Sequence, residues 1–127
     1  MNARRVLIID DNDMNIQLVS VVLNAGGFVV EGAVDAVHAR QKIPRFEPDL
    51  ILMDIQLPGT DGVALTRELK ADPATRHIPI VAFTAYAMKG DEARFREAGC
   101  DGYIAKPIQV GKLAAQIGAY LEDTRSA

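Results

Sequence analysis

The chain is short of the residues that build several familiar kinds of site. Its one cysteine, Cys100, cannot form an internal disulfide, which fits a reducing cytosol, and reads as a small buried filler. Its two histidines, His38 and His77, fall away from the strand ends identified below, so neither is an expected ligand or base. No apolar run approaches the roughly 20 residues that a membrane span needs. The start, Met1-Asn2-Ala3-Arg4-Arg5, passes directly into a short apolar run without the longer one and cleavage site of a signal peptide. The net charge of −3 is mild and the basic residues are scattered, so no nucleic-acid footprint is expected. Acids follow the first strand where Gly-x-Gly-x-x-Gly would mark a dinucleotide site. An EF-hand counted from Asp11 fails at its sixth position, Ile16 instead of glycine, and at its twelfth, Val22 instead of glutamate.

What is present is an alternation of short apolar runs with longer amphipathic ones. No repeat or linker interrupts it, and 127 residues suit one compact domain with one core. Val6-Leu7-Ile8-Ile9 predicts a buried strand, being rich in β-branched residues and too short for a helix. From Met14, apolar residues at Leu18, Val21, Val22 and Ala25 mark one helical face, and Gly26-Gly27 ends that helix. Residues 28–34 predict a second strand, and Asp35 can cap the next helix, which Pro44 should end early or kink near Ile43. Leu50-Ile51-Leu52-Met53 and Ile80-Val81-Ala82-Phe83 predict the third and fourth strands, and Tyr103-Ile104-Ala105 a short fifth. Helices are expected near 62–71 and 89–98. A last one should begin near Gln109, with Val110, Leu113, Ala114, Ile117 and Leu121 on one face. Continuously apolar strands alternating with helices predict an α/β fold, a parallel sheet covered on both faces. Right-handed crossovers then gather the functional groups at the carboxyl ends of the strands.

Those ends carry Asp10 and Asp11, Asp54, Thr84 and Lys106. Taken singly, an aspartate or threonine there is usually a cap or turn former, and a lysine a solvated charge. Together they place three carboxylates, a hydroxyl and an amine on one edge. Two carboxylates about 4 Å apart repel by roughly 4 kcal/mol at an effective dielectric of 20, so the cluster needs a cation. Hard oxygen donors without histidine or cysteine suit Mg²⁺, which keeps several waters and leaves room for a phosphoryl oxygen. A carboxylate can attack a phosphoryl donor, while the metal, the amine and the hydroxyl neutralise the transferring oxygens. Asp54, alone on the central strand, is the expected nucleophile. Asp10 with Asp11 is the expected metal-holding pair, with Lys106 supplying fixed positive charge and Thr84 a hydroxyl.

At these residues the sequence resembles the receiver domains of bacterial two-component response regulators. The likeness spans about residues 4–122 and rests on Val6-Leu7-Ile8-Ile9-Asp10-Asp11-Asn12, on the run from Asp49 to Gly62, on Ile80-Val81-Ala82-Phe83-Thr84-Ala85 and on Gly102-Tyr103-Ile104-Ala105-Lys106-Pro107. The resemblance implies a flavodoxin-like doubly wound fold of strand order 2-1-3-4-5, an order for which the chemotaxis receiver is a standing example. It implies Asp54 as phosphoacceptor, a Mg²⁺ site (Mn²⁺ as substitute) at Asp10, Asp11, Asp54 and the backbone carbonyl of Gln56, and phosphoryl contacts from Thr84 and Lys106. Tyr103 would be the aromatic switch residue working with Thr84, and the Lys106-Pro107 bond would be cis. Gln56 and Tyr86 would tune dephosphorylation.

The stretch Ala87-Met88-Lys89-Gly90-Asp91-Glu92 resembles single-domain regulators of the DivK type, and also receivers of hybrid histidine kinases. The expected protein is therefore one cytoplasmic receiver domain over 1–127. It would be a regulatory phosphoacceptor rather than an enzyme, although it assists its own phosphorylation and dephosphorylation. Its donor would be a histidine kinase or histidine phosphotransferase. Its effector would bind the face made by the fourth helix, fifth strand and fifth helix, with neither nucleic acid nor membrane as partner. The rival from another class, a phosphatase of the haloacid-dehalogenase type, shares an aspartyl phosphate, and Asp11-Asn12-Asp13 imitates its opening. It also needs a later acidic pair, which 81–86 does not offer.

Overall fold

A computed structural model of the chain describes residues 3–57, 60–84 and 91–126. Among these, five strands form one parallel sheet: β1 Arg5–Ile9, β2 Val29–Ala33, β3 Leu50–Asp54, β4 Ile80–Thr84 and β5 Gly102–Ala105. Helices follow them in turn: α1 Asp13–Ala25, α2 Ala36–Phe46, α3 Gly62–Ala71, α4 Asp91–Ala98 and α5 Leu113–Ser126. The spatial order is β2-β1-β3-β4-β5, the 2-1-3-4-5 order expected. A two-residue hairpin, Gln56–Leu57 against Thr60–Asp61, lies between β3 and α3 and was not foreseen. No helix among the described residues is long and apolar enough to cross a membrane.

The sheet divides the core in two because successive strand residues point to opposite faces. Leu7, Ile9, Ile51, Met53, Ile80 and Ala82 meet α2, α3 and α4 on one side. Val6, Ile8, Leu50, Leu52, Val81 and Phe83 meet Val19 and Leu23 of α1 and Leu113, Ile117 and Leu121 of α5 on the other. Both faces are dry, so β3 and β4 carry no polar residue until their last position, where Asp54 and Thr84 stand. Truncating one of these central side chains to alanine costs about 2–5 kcal/mol.

Three helix expectations need correction. The buried stripe of α1 is Val19 and Leu23, with Ile16 and Val22 packed against them; Met14, Leu18 and Val21 face solvent. The helix carries two apolar stripes, and periodicity alone does not say which meets the sheet. Gly32 of β2 decides it: a Cβ there would lie 2.5 Å from Cγ2 of Ile16, so the missing side chain makes the space that Ile16 fills. Pro44 does not end α2 near Ile43. The helix runs to Phe46, whose burial with Ile43 holds the last turn, and Glu47 caps it in the left-handed region with φ 52°. In α5, residues 109–112 form a turn in which Lys112 and Leu113 both donate to the Gln109 carbonyl, so the helix starts at Leu113 and Val110 is exposed.

The expected cap of α2 is present, Asp35 accepting from His38 N–H, and the structure adds one at the start of α1, where Asn12 accepts from the Met14 and Asn15 backbone N–H groups. Gly26 and Gly27 close α1.

Candidate functional site at the carboxyl ends of the strands

Strand register brings the candidate residues together. Ile9 is level with Met53, Asp54 with Phe83, and Thr84 with Ala105, so the next residues of β1 and β5 reach the same edge. The ladder continues one step beyond those strands. Asp10 donates its N–H to Ala33, and Lys106 donates its N–H to Thr84. Backbone pairing thus fixes where both side chains start, and the Lys106-Pro107 peptide is cis as expected.

Asp10 is wholly buried and Asp54 is 5 % exposed, whereas Asp11 stands in solvent at the mouth. One oxygen from each of the three lies within 4.8 Å of the others. The Lys106 ammonium bridges the buried pair, 3.0 Å from Asp10 Oδ2 and 3.3 Å from Asp54 Oδ2, and sits 4.9 Å from the centre of the Phe83 ring. Asp10 Oδ1 accepts the Asn12 N–H at 2.9 Å, and Asp10 Oδ2 also accepts the Asn15 side-chain amide at 3.2 Å. Among the described residues, one ammonium faces three carboxylates, so negative charge outweighs positive there. Oxygen donors of this kind, without histidine or cysteine, fit a hard divalent cation.

Thr84 is buried at the end of β4. Tyr103 lies on β5 level with Ala82 and is 37 % exposed, its ring outside the core. The Gln56 backbone belongs to the short hairpin, paired with Asp61. Tyr86 and the rest of 85–90 lie outside the described residues. His77 is exposed near the amino end of β4, whereas His38, against expectation, stands at the carboxyl end of β2, where its Nδ1 accepts the Val34 N–H; neither belongs to the acidic group.

Two residues that sequence reasoning did not single out touch this edge. Asn15 is one, by its amide on Asp10. Its signal was the spacing, for Asn12 and Asn15 sit one helical turn apart on the turn that caps above Asp10. Gly62 is the other. It donates its N–H to the Ile55 carbonyl, and a Cβ there would collide with the backbone of Asp54 and Ile55. No local pattern announces that close approach.

The family profile of the response regulator receiver domain matches residues 6–118. The chain belongs to that family. It is 43 % identical over 120 residues to the polar-differentiation response regulator DivK of Brucella anthropi, covering 94 % of this chain and 98 % of that protein. Among solved structures, a CheY-like response regulator receiver domain protein from Methanospirillum hungatei superposes with TM-score 0.88 at 27 % identity, covering 98 % of each chain. The receiver domain of a sensor histidine kinase from Pseudomonas aeruginosa, solved with magnesium in its active-site cleft, gives 0.84 at 32 % identity, covering 95 % of this chain and 99 % of that one. The receiver is thus a phosphorelay response regulator domain of flavodoxin-like fold, a regulatory phosphoacceptor of a two-component system, and its acidic cluster is compatible with magnesium. The phosphatase alternative is not favoured.

Elsewhere, two titrating groups are displaced by plain causes. The Arg40 guanidinium donates two hydrogen bonds of 2.7 Å to Glu68, which lowers the Glu68 carboxyl below its ordinary range and raises Arg40. Burial raises the Cys100 thiol, although Sγ has Thr66 Oγ1 at 4.0 Å.

Proposed function

We propose that Asp54 accepts the phosphoryl group, donated by a phosphohistidine on a histidine kinase or histidine phosphotransferase. A carboxylate oxygen of Asp54 attacks phosphorus as the P–N bond breaks, and the departing imidazole keeps the electron pair and takes a proton from solvent. The observation that carries this reading is the Asp54 carboxylate itself, nearly buried at the end of the central strand and 3.3 Å from the Lys106 ammonium. Burial keeps competing water from its oxygens, and Lys106 can follow the new negative charge from the carboxylate to a phosphoryl oxygen. Asp10, Asp11, Asp54 and the Gln56 carbonyl would hold Mg²⁺, or Mn²⁺ in its place. That ion supplies charge neutralisation on the transferring oxygens.

Phosphorylation then becomes a change of surface. Thr84 donates its hydroxyl to the phosphoryl group, and the space it leaves beside β4 admits Tyr103, which now lies outside the core. The effector reads the resulting α4-β5-α5 face. Taking a two-state equilibrium from 1:99 to 99:1 needs about 5.5 kcal/mol, within reach of a few charge-assisted bonds. Gln56 and Tyr86 set the lifetime, with Tyr86 slowing hydrolysis. Met14, Leu18 and Val21, spaced by 4 and 3 on the open face of α1 beside the site, suit a helix of the phosphodonor. The whole chain works as one cytoplasmic receiver with output by contact, not as a turnover enzyme. The DivK likeness, higher in identity than that to the kinase receiver, favours this over the hybrid-kinase module.

The test is uptake of label from acetyl phosphate or a phosphorylated kinase. Wild type should label in a Mg²⁺-dependent way and Asp54→Asn should not; a variant labelled like wild type would remove Asp54 as acceptor.

A further inference from the structure

Asp10 is the most enclosed acid of the cluster, and three donors hold its carboxylate. The Asn12 N–H binds Oδ1, while the Lys106 ammonium and the Asn15 amide both bind Oδ2. These donors differ in permanence. Lys106 is shared with Asp54 and is the group asked to serve the incoming phosphoryl oxygens. Once it turns to that work, Oδ2 keeps one of its two donors, the neutral amide of Asn15. That amide is presented from a rigid base, because the Asn15 backbone N–H is itself tied to Asn12 Oδ1 at 3.3 Å in the first turn of α1.

We infer that Asn15 is the positioning residue of the divalent-cation site: its side-chain amide holds the Asp10 carboxylate in the orientation that binds the ion after Lys106 lets go. The inference rests on the reading of Asp10 as a metal ligand. The chemistry needs a neutral donor. A carboxylate oxygen has lone pairs for a cation and for one N–H, whereas a second cation in Asn15's place would repel the ion and a carboxylate would repel Asp10. Partners that orient ligating carboxylates by hydrogen bonding typically govern metal affinity by about 10–100-fold.

The experiment is calorimetric titration of the metal-free protein with MgCl₂, alongside acetyl-phosphate uptake measured as a function of Mg²⁺. Asn15→Leu should weaken Mg²⁺ binding by about 10–100-fold, yet recover near-wild-type uptake at saturating Mg²⁺, because the residue acts through Asp10 and not on the phosphoryl group. Asn15→Asp separates donation from charge. A fourth carboxylate that tightened Mg²⁺ would overturn the inference, and weakening at least equal to that of Asn15→Leu supports it. Asp10→Asn is the control. If it binds Mg²⁺ as wild type does, the underlying reading fails; if it loses binding while Asn15→Leu keeps it, the inference alone fails. Should Asn15→Leu not fold, the wild-type protein still answers. The Asn15 side-chain amide resonances should shift on Mg²⁺ addition with the midpoint found by calorimetry, and their staying still would count against the proposal.

Discussion

Two lysines at opposite ends of the sheet show how structure and function treat a half-buried charge differently. Lys70 of α3 lies at the amino end of β4. Its ammonium donates to the Ile78 and Arg76 carbonyls at 2.8 and 3.3 Å and pairs with Asp101 Oδ2 at 3.0 Å. Asp101 in turn accepts the Ile80 N–H at 2.8 Å. One cation meets one anion, and the remaining donors meet carbonyls. Such a knot is complete, so it ties α3, the 76–78 loop and the start of β5 together with no charge left over. Lys106, at the carboxyl end, faces three carboxylates with one positive charge among the described residues. On the reading proposed above, that end gains by taking up a cation and can exchange the partners of its ammonium. The lesson is that the functional end is recognisable by the charge it leaves unsettled.

Four measurements would break or sharpen this contrast beyond the all-or-none loss of labelling expected for Asp54→Asn. The largest is linkage. At 100 times its dissociation constant, Mg²⁺ should stabilise wild type against urea by about 2.7 kcal/mol. Lys70→Met should keep that gain and Asp10→Asn should lose it; equal gains in all three would erase the difference between the two ends. Next, Gly62→Ala should cost about 1–3 kcal/mol and slow phosphoryl uptake, since the new methyl group must push the Asp54–Ile55 backbone aside. Unchanged uptake would show that the edge tolerates movement of its central carboxylate.

Smaller still, Lys70→Met should lower stability by about 1–2 kcal/mol while leaving phosphoryl uptake intact, read by paired urea melts and labelling. Loss of uptake in that variant would mean that the knot also governs the active edge. The smallest effect concerns Arg40–Glu68, an exposed pair between α2 and α3. Its folded-state carboxyl is depressed, so its contribution is full above the ordinary glutamate value of 4.5 and fades as pH falls through the lower folded value. Glu68→Gln should cost about 0.5 kcal/mol at pH 7 and nothing once Glu68 is protonated, as pH-dependent melts of the two proteins would show.

The strands and the identity of the acids were legible in the chain because they depend on local rules, whereas the strand order came only from the resemblance to the family. Dry strands must be continuously apolar, so the first polar residue after each apolar run marks a strand end, and four such ends named Asp10, Asp54, Thr84 and Lys106. The cap Asp35 is equally local. Which stripe of α1 turns inward was not local, for it depends on Gly32 of another strand making room for Ile16. Nor was the reach of α2 past Pro44, which the burial of Ile43 and Phe46 against the sheet sustains.

The sequence by itself therefore determined the alternating architecture and the list of charged groups, since each follows from composition and spacing along one strand or helix, and its motifs carried the resemblance to the family. Tertiary structure alone decided the distances that make those groups a site. It set the level register that brings β1, β3, β4 and β5 to one edge, the bridge from Lys106 to two carboxylates, and the Asn15 amide on Asp10. Those contacts join residues of different elements, and only the packed sheet fixes how far apart they stand.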